Sequence, residues 1–114
     1  MSVDLKTRQV GGVTVVDVSG RITLGDTASA LRDTLRGLAG EGQKNILLNL
    51  GGLTFIDSSG LGVLVSGFAT VANQGGKLKL LNAHSSVKDM LVLTKLYTVF
   101  EVFDSETTAV QSFA

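Results

Sequence analysis

The sequence contains no cysteine and no proline, and His84 is its one histidine. Without cysteine, a disulfide scaffold, a thiolate metal site and a thiol nucleophile are all excluded. One histidine cannot build a multi-histidine metal centre, and without proline the chain has no rigid linker of the proline-rich kind. The composition therefore predicts a protein that holds no metal and no cofactor.

Neither sign of charge is in excess, because ten Lys and Arg residues balance ten Asp and Glu residues. Nucleic acids are bound by basic patches, so we expect no direct contact with nucleic acid. No run of about 20 apolar residues is present, which argues against a membrane span. The first residues, M-S-V-D-L, lack the basic and then apolar order of a secretory signal. These patterns predict a cytoplasmic protein.

The 114 residues are 44% apolar and 18% charged, which is typical of a packed globular chain. A chain of this length can bury a hydrophobic core without disulfide or metal staples. No repeat, linker or low-complexity tract interrupts it. Residues 1–114 are therefore predicted to form one domain.

The spacing of apolar residues predicts two strands first, followed by helices and strands in alternation. The pair Gly11-Gly12 indicates a hairpin turn, and the apolar run 45–50 is typical of a buried parallel strand. This order predicts an α/β domain, with a mainly parallel mixed sheet of about five strands, an antiparallel N-terminal edge and about four packed helices. The predicted strands cover 3–7, 13–18, 45–50, 77–81 and 99–103, and a loop is predicted over 51–57. Helices are predicted to begin near 27, 60, 85 and 104. The expected cap of the first helix is Asp26 or Thr27, and that of the third is Ser85 or Ser86.

The run 55–64, F-I-D-S-S-G-L-G-V-L, is the most informative segment. It lies between a buried strand and a helix, where sheets of this class place their binding sites. Ser58 or Ser59 is expected to cap the helix through its hydroxyl. Gly60 and Gly62 each lower helix propensity by about 1 kcal/mol relative to alanine, which suits a place that another backbone or a ligand approaches closely.

This run resembles the phosphorylation segment of anti-sigma-factor antagonists, the small STAS proteins of bacterial partner-switching systems. The resemblance covers nearly the whole chain and includes the strand before the run and the turn Gly75-Gly76. It implies that Ser58 is the phosphate acceptor. It also implies a partner-binding segment made of Asp57, Ser59, Gly60, Leu61 and Gly62.

The resemblance further implies a function without enzymatic activity. The unmodified protein would bind an anti-sigma factor that is also a serine kinase, and this would free the sigma factor and regulate transcription indirectly. Phosphorylation of Ser58 would separate the complex, and a PP2C-type phosphatase would reset it.

One position departs from the family pattern. Members often carry an acid soon after the second strand, in the order Gly-x-Leu/Ile-Asp, whereas residues 20–23 here are G-R-I-T. Thr23 therefore occupies the place of the acid, and Asp26 is the nearest substitute. Both residues are expected in the partner-binding loop.

The helix after Ser58 has no charged side chain from Gly60 to Gly76, although surface helices usually carry charges on their outer face. Either the domain itself covers the helix, or its small residues form a close docking face for a partner. On the second interpretation, Gly67→Glu or Gly67→Arg weakens partner binding more than it lowers the melting temperature. The predicted outer face consists of Gly62, Ser66, Gly67, Thr70 and Asn73.

Other chemistry is less well supported. The spacing Gly60-x-Gly62 lacks the third glycine of a dinucleotide fingerprint, and Ser58 with Asp57 would need His84 as a base for hydrolysis. Asp17 stands alone where response-regulator receivers have an acidic pair. A small enzyme is therefore disfavoured. A STAS module that acts as a scaffold without a kinase is the main alternative, and the oligomeric state is left open.

Overall fold

A five-stranded sheet with strand order β1-β2-β3-β4-β5 forms the frame of the computed structural model, which describes residues 2–114. β1 and β2 pair antiparallel, and every later pair is parallel. This confirms the predicted α/β architecture. In chain order the elements are β1 (Val3–Val10), β2 (Val13–Ile22), α1 (Asp26–Gly40), β3 (Asn45–Ile56), α2 (Ser58–Asn73), β4 (Lys77–Leu81), α3 (Ser85–Leu93), a 3-10 turn (Leu96–Thr98), β5 (Val102–Phe103) and α4 (Glu106–Gln111).

The hairpin between β1 and β2 turns at the predicted pair, where Gly11 and Gly12 have φ angles of 54° and 80°. Two consecutive positive φ angles match the right-handed twist of the flanking strands, and glycine adopts them without steric cost. Val10 and Val13 are paired directly across the turn.

Helices cover the two faces of the sheet unequally. The larger core lies under α1, α2 and α3 and includes Val16, Leu48 and Leu64, all buried. A smaller core on the opposite face is closed by α4, whose Ala109 packs with Val15 and Leu47. β3 is buried from both sides along 46–48, which explains its continuous apolar run.

β3 is longer than predicted, and the segment 51–57 is not a loop. The strand continues because Leu53, Phe55 and Ile56 remain paired with Gly20, Arg21 and Ile22 of β2. The two neighbouring parallel strands therefore end together at Ile22 and Ile56. β5, in contrast, is only two residues long instead of the predicted five.

The predicted caps of α1 and α3 are wrong. Gly25 precedes α1, and the Thr27 hydroxyl bonds back to Thr23 instead of capping the helix. His84 precedes α3 without a side-chain cap, and the Ser86 hydroxyl donates to the Thr54 carbonyl. None of the helices within residues 2–114 combines the length and the apolar character needed to cross a membrane.

Candidate functional site

The candidate site is built where β2 and β3 end side by side. Ile22 and Ile56 are a registered pair, and each strand leads within a few residues into a helix. Asp57 stands alone between β3 and α2, while the loop 23–25 connects β2 to α1. Both connections emerge at the carboxyl end of parallel strands, the edge at which open α/β sheets place their binding sites.

Asp57 caps α2, whereas the sequence pointed to Ser58 or Ser59. Its backbone is extended, and its Oδ1 accepts a hydrogen bond of 3.0 Å from the Gly60 N–H. A carboxylate one residue before the helix satisfies an orphan N–H and also interacts favourably with the positive end of the helix dipole. The hydroxyl of Ser58 is therefore outside the cap, and Ser58 is exposed at the first position of α2.

Asp57 also ties the two connections together. Its Oδ2 accepts a hydrogen bond of 3.0 Å from the Leu24 N–H, and its own N–H donates to the Ile22 carbonyl at 3.1 Å. The hydrogen bonds from Gly60 and then Leu24 to the carboxylate hold the pKa of Asp57 below its usual range. The Asp57 side chain is therefore charged at neutral pH, directly beside Ser58.

The loop 23–25 is fixed by a second set of hydrogen bonds. The Thr23 N–H donates to the Thr27 hydroxyl at 2.9 Å, and the Thr23 carbonyl accepts from Thr27 Oγ1 at 3.1 Å and from the Ala28 N–H at 3.2 Å. Thr23 is half-buried and Asp26 is exposed in the first turn of α1. The structure thus brings Thr23 to the site, and Asp26 lies on the same connection.

Three residues predicted to contact a partner face inward instead. Gly60 and Leu61 are buried, and a Cβ on Gly60 would lie 2.6 Å from both Ile22 Cγ2 and Ile56 Cγ1. Gly60 is glycine because the sheet approaches the helix closely, rather than because a partner does. Of the predicted segment, Ser58 and Gly62 are exposed and Ser59 is partly exposed.

Gly67 is the third of these residues, and its placement on the outer face is wrong. It is buried where α2 meets α1, and a Cβ there would lie 2.7 Å from Leu35 Cδ1. A glutamate or arginine at Gly67 would therefore disturb the contact between α1 and α2, so these variants do not separate binding from stability. The buried stripe Leu64, Gly67 and Val71, at helical spacing, is the signal that could have shown this.

Apart from Gly67, the predicted outer face of α2 is accessible: Gly62, Ser66 and Asn73 are exposed, and Thr70 is partly exposed. Val65 and Ala69 are exposed in addition, while Phe68 is partly buried against the core. The whole of α2 lacks a charged side chain. Sequence reasoning missed Leu24 altogether, because nothing local to a loop residue shows that it is 81% exposed and hydrogen-bonded to Asp57.

His84 is engaged elsewhere. Its Nε2 lies 2.8 Å from the Gly51 carbonyl oxygen and its Nδ1 lies 3.2 Å from Ser85 Oγ. The Asp57 carboxylate accepts hydrogen bonds from the backbone N–H groups of Gly60 and Leu24. His84 and Asp57 therefore do not form a catalytic relay with Ser58. Among residues 2–114, no three acidic or histidine side chains are grouped closely enough to hold a metal ion.

The sequence model of the STAS domain family matches residues 4–109. The anti-sigma-B factor antagonist of Bacillus subtilis (strain 168) is 30% identical over 102 residues, covering 90% of this chain and 92% of the relative. The anti-sigma F factor antagonist of Paenibacillus polymyxa is 24% identical over 109 residues, covering 96% and 93%. The crystal structure of an anti-sigma factor antagonist from Mycobacterium paratuberculosis is similar with a TM-score of 0.88 at 22% identity, covering 98% of this chain and 94% of that one. The chain therefore belongs to the STAS domain family, and these relatives are anti-sigma factor antagonists.

Proposed function

We propose that this chain is an anti-sigma-factor antagonist that works as a binding protein rather than an enzyme. In its unmodified form it binds a cognate anti-sigma factor that is also a serine kinase. Phosphorylation of Ser58 ends that binding, and a PP2C-type phosphatase restores it, in the cytoplasm and without direct contact with nucleic acid. Two curated antagonists that match over nine tenths of both chains support this proposal.

The observation that carries the proposal is the placement of Ser58. Ser58 is exposed at the first position of α2, and Asp57 caps the helix. The serine hydroxyl is therefore free to meet the active site of a kinase, and its modification does not remove the hydrogen bond that begins the helix. A serine that served as the cap would have lost that bond on phosphorylation.

The electrostatics of the site favour a switch that acts on the interface. A phosphoserine adds about −1.5 to −2 charges near pH 7. Unpaired N–H groups and the helix dipole at the start of α2 stabilise such a charge, so we expect the domain to stay folded. The adjacent Asp57 carboxylate makes the local field more negative, and α2 carries no basic side chain that could form an ion pair with the phosphate. Repulsion and steric bulk then act on the bound partner.

The proposal is tested by intact-mass measurement after incubation with ATP and each purified anti-sigma serine kinase of the same genome. We expect one added phosphate, lost in Ser58→Ala and kept in Ser59→Ala, the matched control at the neighbouring and partly exposed serine. Ser58→Asp should bind the kinase at least tenfold more weakly, which corresponds to about 1.4 kcal/mol.

Two results would contradict the proposal. Phosphate that remains on Ser58→Ala would place the acceptor elsewhere. Binding without any phosphate transfer would favour the scaffold function instead. The one observation that supports a scaffold is Thr23, which stands where family members often have an acid.

A further inference from the structure

We propose that Leu24 is an apolar anchor of the kinase-binding surface and that Asp57 is its positioning residue. The inference rests on the proposed function, and it names a chemical requirement for the partner. The kinase must present an apolar recess beside the site at which it receives Ser58.

Leu24 is the most exposed of the large apolar side chains within residues 2–114, at 81%. Its backbone N–H lies 3.0 Å from Asp57 Oδ2, and Asp57 directly precedes Ser58. This connection keeps the Leu24 Cα within about 12 Å of the Ser58 Cα, from the bond lengths involved. An isolated exposed leucine is unremarkable on a protein surface, but here its position relative to Ser58 is fixed by a hydrogen bond.

An interface of ordinary size that is centred on Ser58 covers Leu24 as well. Stable protein interfaces cover about 800 Å² on each partner, which corresponds to a roughly circular patch of about 16 Å radius. A patch centred on Ser58 therefore includes the Leu24 backbone, and the side chain projects from it almost fully into solvent. Burial of that side chain would be favourable for association, since apolar area is removed from water.

The loop that carries Leu24 is ordered before a partner arrives. The hydrogen bonds of Thr23 to Thr27 and Ala28 hold it on one side, and Asp57 holds it on the other. Gly25, with a φ of 109°, completes the turn into α1. An anchor on such a loop loses little conformational entropy on binding, which is how pre-organised contacts gain affinity.

The surroundings of Leu24 indicate the chemistry of the recess. The exposed residues along the start of α2, Gly62, Val65 and Ser66, carry no charge. Charged side chains flank Leu24 in the chain, since Arg21 three residues before it and Asp26 two residues after it are both exposed. An apolar recess therefore complements Leu24 and the uncharged start of α2, with polar groups at its rim that face these charges.

The test uses Leu24→Ala and a matched control, Leu93→Ala. Leu93 is 77% exposed and is the last residue of α3, seven residues after Ser86, whose hydroxyl donates to the Thr54 carbonyl of β3. Unlike Leu24, it has no hydrogen bond to Asp57. We expect Leu24→Ala to bind the kinase, loaded with a non-hydrolysable ATP analogue, about tenfold more weakly, and Leu93→Ala to bind like the unsubstituted protein. In phosphorylation assays Leu24→Ala should raise KM about tenfold at unchanged kcat, because the anchor contributes equally to ground and transition states.

The positioning role of Asp57 has a readout in the free protein. In Asp57→Ala the hydrogen-exchange protection of the Leu24 amide should fall at least tenfold. It should fall in Asp57→Asn as well, because the one oxygen of asparagine caps α2 at Gly60 and its amide nitrogen cannot accept from the Leu24 N–H. In a double-mutant cycle, the cost of Asp57→Asn should also be smaller in the Leu24→Ala background, because an asparagine that caps α2 no longer holds Leu24. Asp57→Ala should cost less than half as much affinity in the Leu24→Ala background, since the anchor it positions is already absent.

The outcomes separate this inference from the proposed function. If the unsubstituted protein is bound and phosphorylated but Leu24→Ala binds as tightly as Leu93→Ala, the anchor is refuted and the proposed function stands. If Leu24→Ala weakens binding but Asp57→Ala leaves the Leu24 amide protected, the positioning role is refuted. If no anti-sigma kinase of the genome binds or modifies the unsubstituted protein, both proposals fall together.

Discussion

At the scale of single residues, Asp57 does the work that the sequence assigned to the serines after it. One carboxylate oxygen accepts from Gly60 and begins α2, and the other accepts from Leu24 and fixes the neighbouring loop. An aspartate suits both tasks because its two oxygens diverge and it carries charge at the positive end of a helix. Ser58 consequently takes no part in the cap and is exposed.

Removing the Asp57 carboxylate should destabilise the domain by a moderate amount. We expect Asp57→Ala to lower the free energy of unfolding by about 1 kcal/mol at pH 7, the usual cost of losing an N-cap. Asp57→Asn is the control, because asparagine caps nearly as well. Urea denaturation measures both variants, and equal losses in the two would contradict a capping role.

The same carboxylate predicts a dependence of stability on pH. The pKa of Asp57 in the folded protein is lowered, mainly by the hydrogen bond from Gly60. The charged carboxylate therefore stabilises the fold at pH values above the unfolded pKa of about 3.9, and this stabilisation is lost as the pH falls through the folded pKa. The stability difference between the unsubstituted protein and Asp57→Ala should therefore shrink from pH 7 towards pH 2. A difference that grew on acidification would show that the sign of the pKa shift is wrong.

At the scale of elements, the glycines of α2 have opposite roles on its two sides. Gly60 lies against Ile22 and Ile56, so that the helix can start close to the sheet, whereas nothing lies within 4 Å of the Cβ position of Gly62. The sequence alone treats the two as equivalent, since both weaken the helix. Their difference arises from the packing of α2 against the strands.

Alanine at these two glycines should change stability in opposite directions. Gly60→Ala gains about 1 kcal/mol of helix propensity but overpacks buried isoleucines, which costs about 1–3 kcal/mol, so a net loss of about 1 kcal/mol is expected. Gly62→Ala meets no neighbour and should raise the free energy of unfolding by about 0.5–1 kcal/mol. Thermal and urea unfolding of the pair measure this; a loss at Gly62 as large as at Gly60 would contradict the observed packing.

At the scale of the whole molecule, Arg8 joins the sheet edge to the last helix. Its Nε lies 2.8 Å from Asp17 Oδ2 on β2, and its Nη1 lies 3.0 Å from Glu106 Oε2 at the start of α4. Asn49 of β3 donates to the same aspartate at 2.9 Å. The smaller core under α4 is thus closed by a polar connection that spans residues 8–106 of the chain.

Replacing Arg8 should weaken the attachment of α4 in a pH-dependent way. Hydrogen bonds from Arg8 are the main cause that lowers the pKa values of Asp17 and Glu106. The two charged carboxylates therefore stabilise the fold at neutral pH, and this stabilisation is lost when they are protonated in acid. These groups are partly exposed, and we expect Arg8→Met to cost only about 1 kcal/mol at pH 7 and almost nothing at pH 2. Arg36→Met is the control, since Arg36 is exposed on α1, which covers the face of the sheet opposite α4, and a loss equal to that of Arg8→Met would argue against the connection to α4.

The sequence by itself determined the order of the elements, the hairpin at Gly11-Gly12 and the strand at 77–81, and it singled out the segment around Ser58 as the candidate site. These follow from apolar periodicity, turn residues and a local motif, all of which act between residues near one another in the chain. Local patterns also misled at particular points: paired serines suggested a cap that Asp57 provides, and small residues suggested an exposed Gly67 that is buried against Leu35.

Only the tertiary structure decided which side of α2 faces outward, how far β3 extends and which residue accompanies Ser58 at the surface. Leu24 and Asp57 are 33 positions apart in the chain and are joined by one hydrogen bond. Gly60 is packed by side chains of two different strands. Such contacts depend on the register of β2 against β3 and on the approach of helix to sheet, and no property of a short stretch of sequence specifies them.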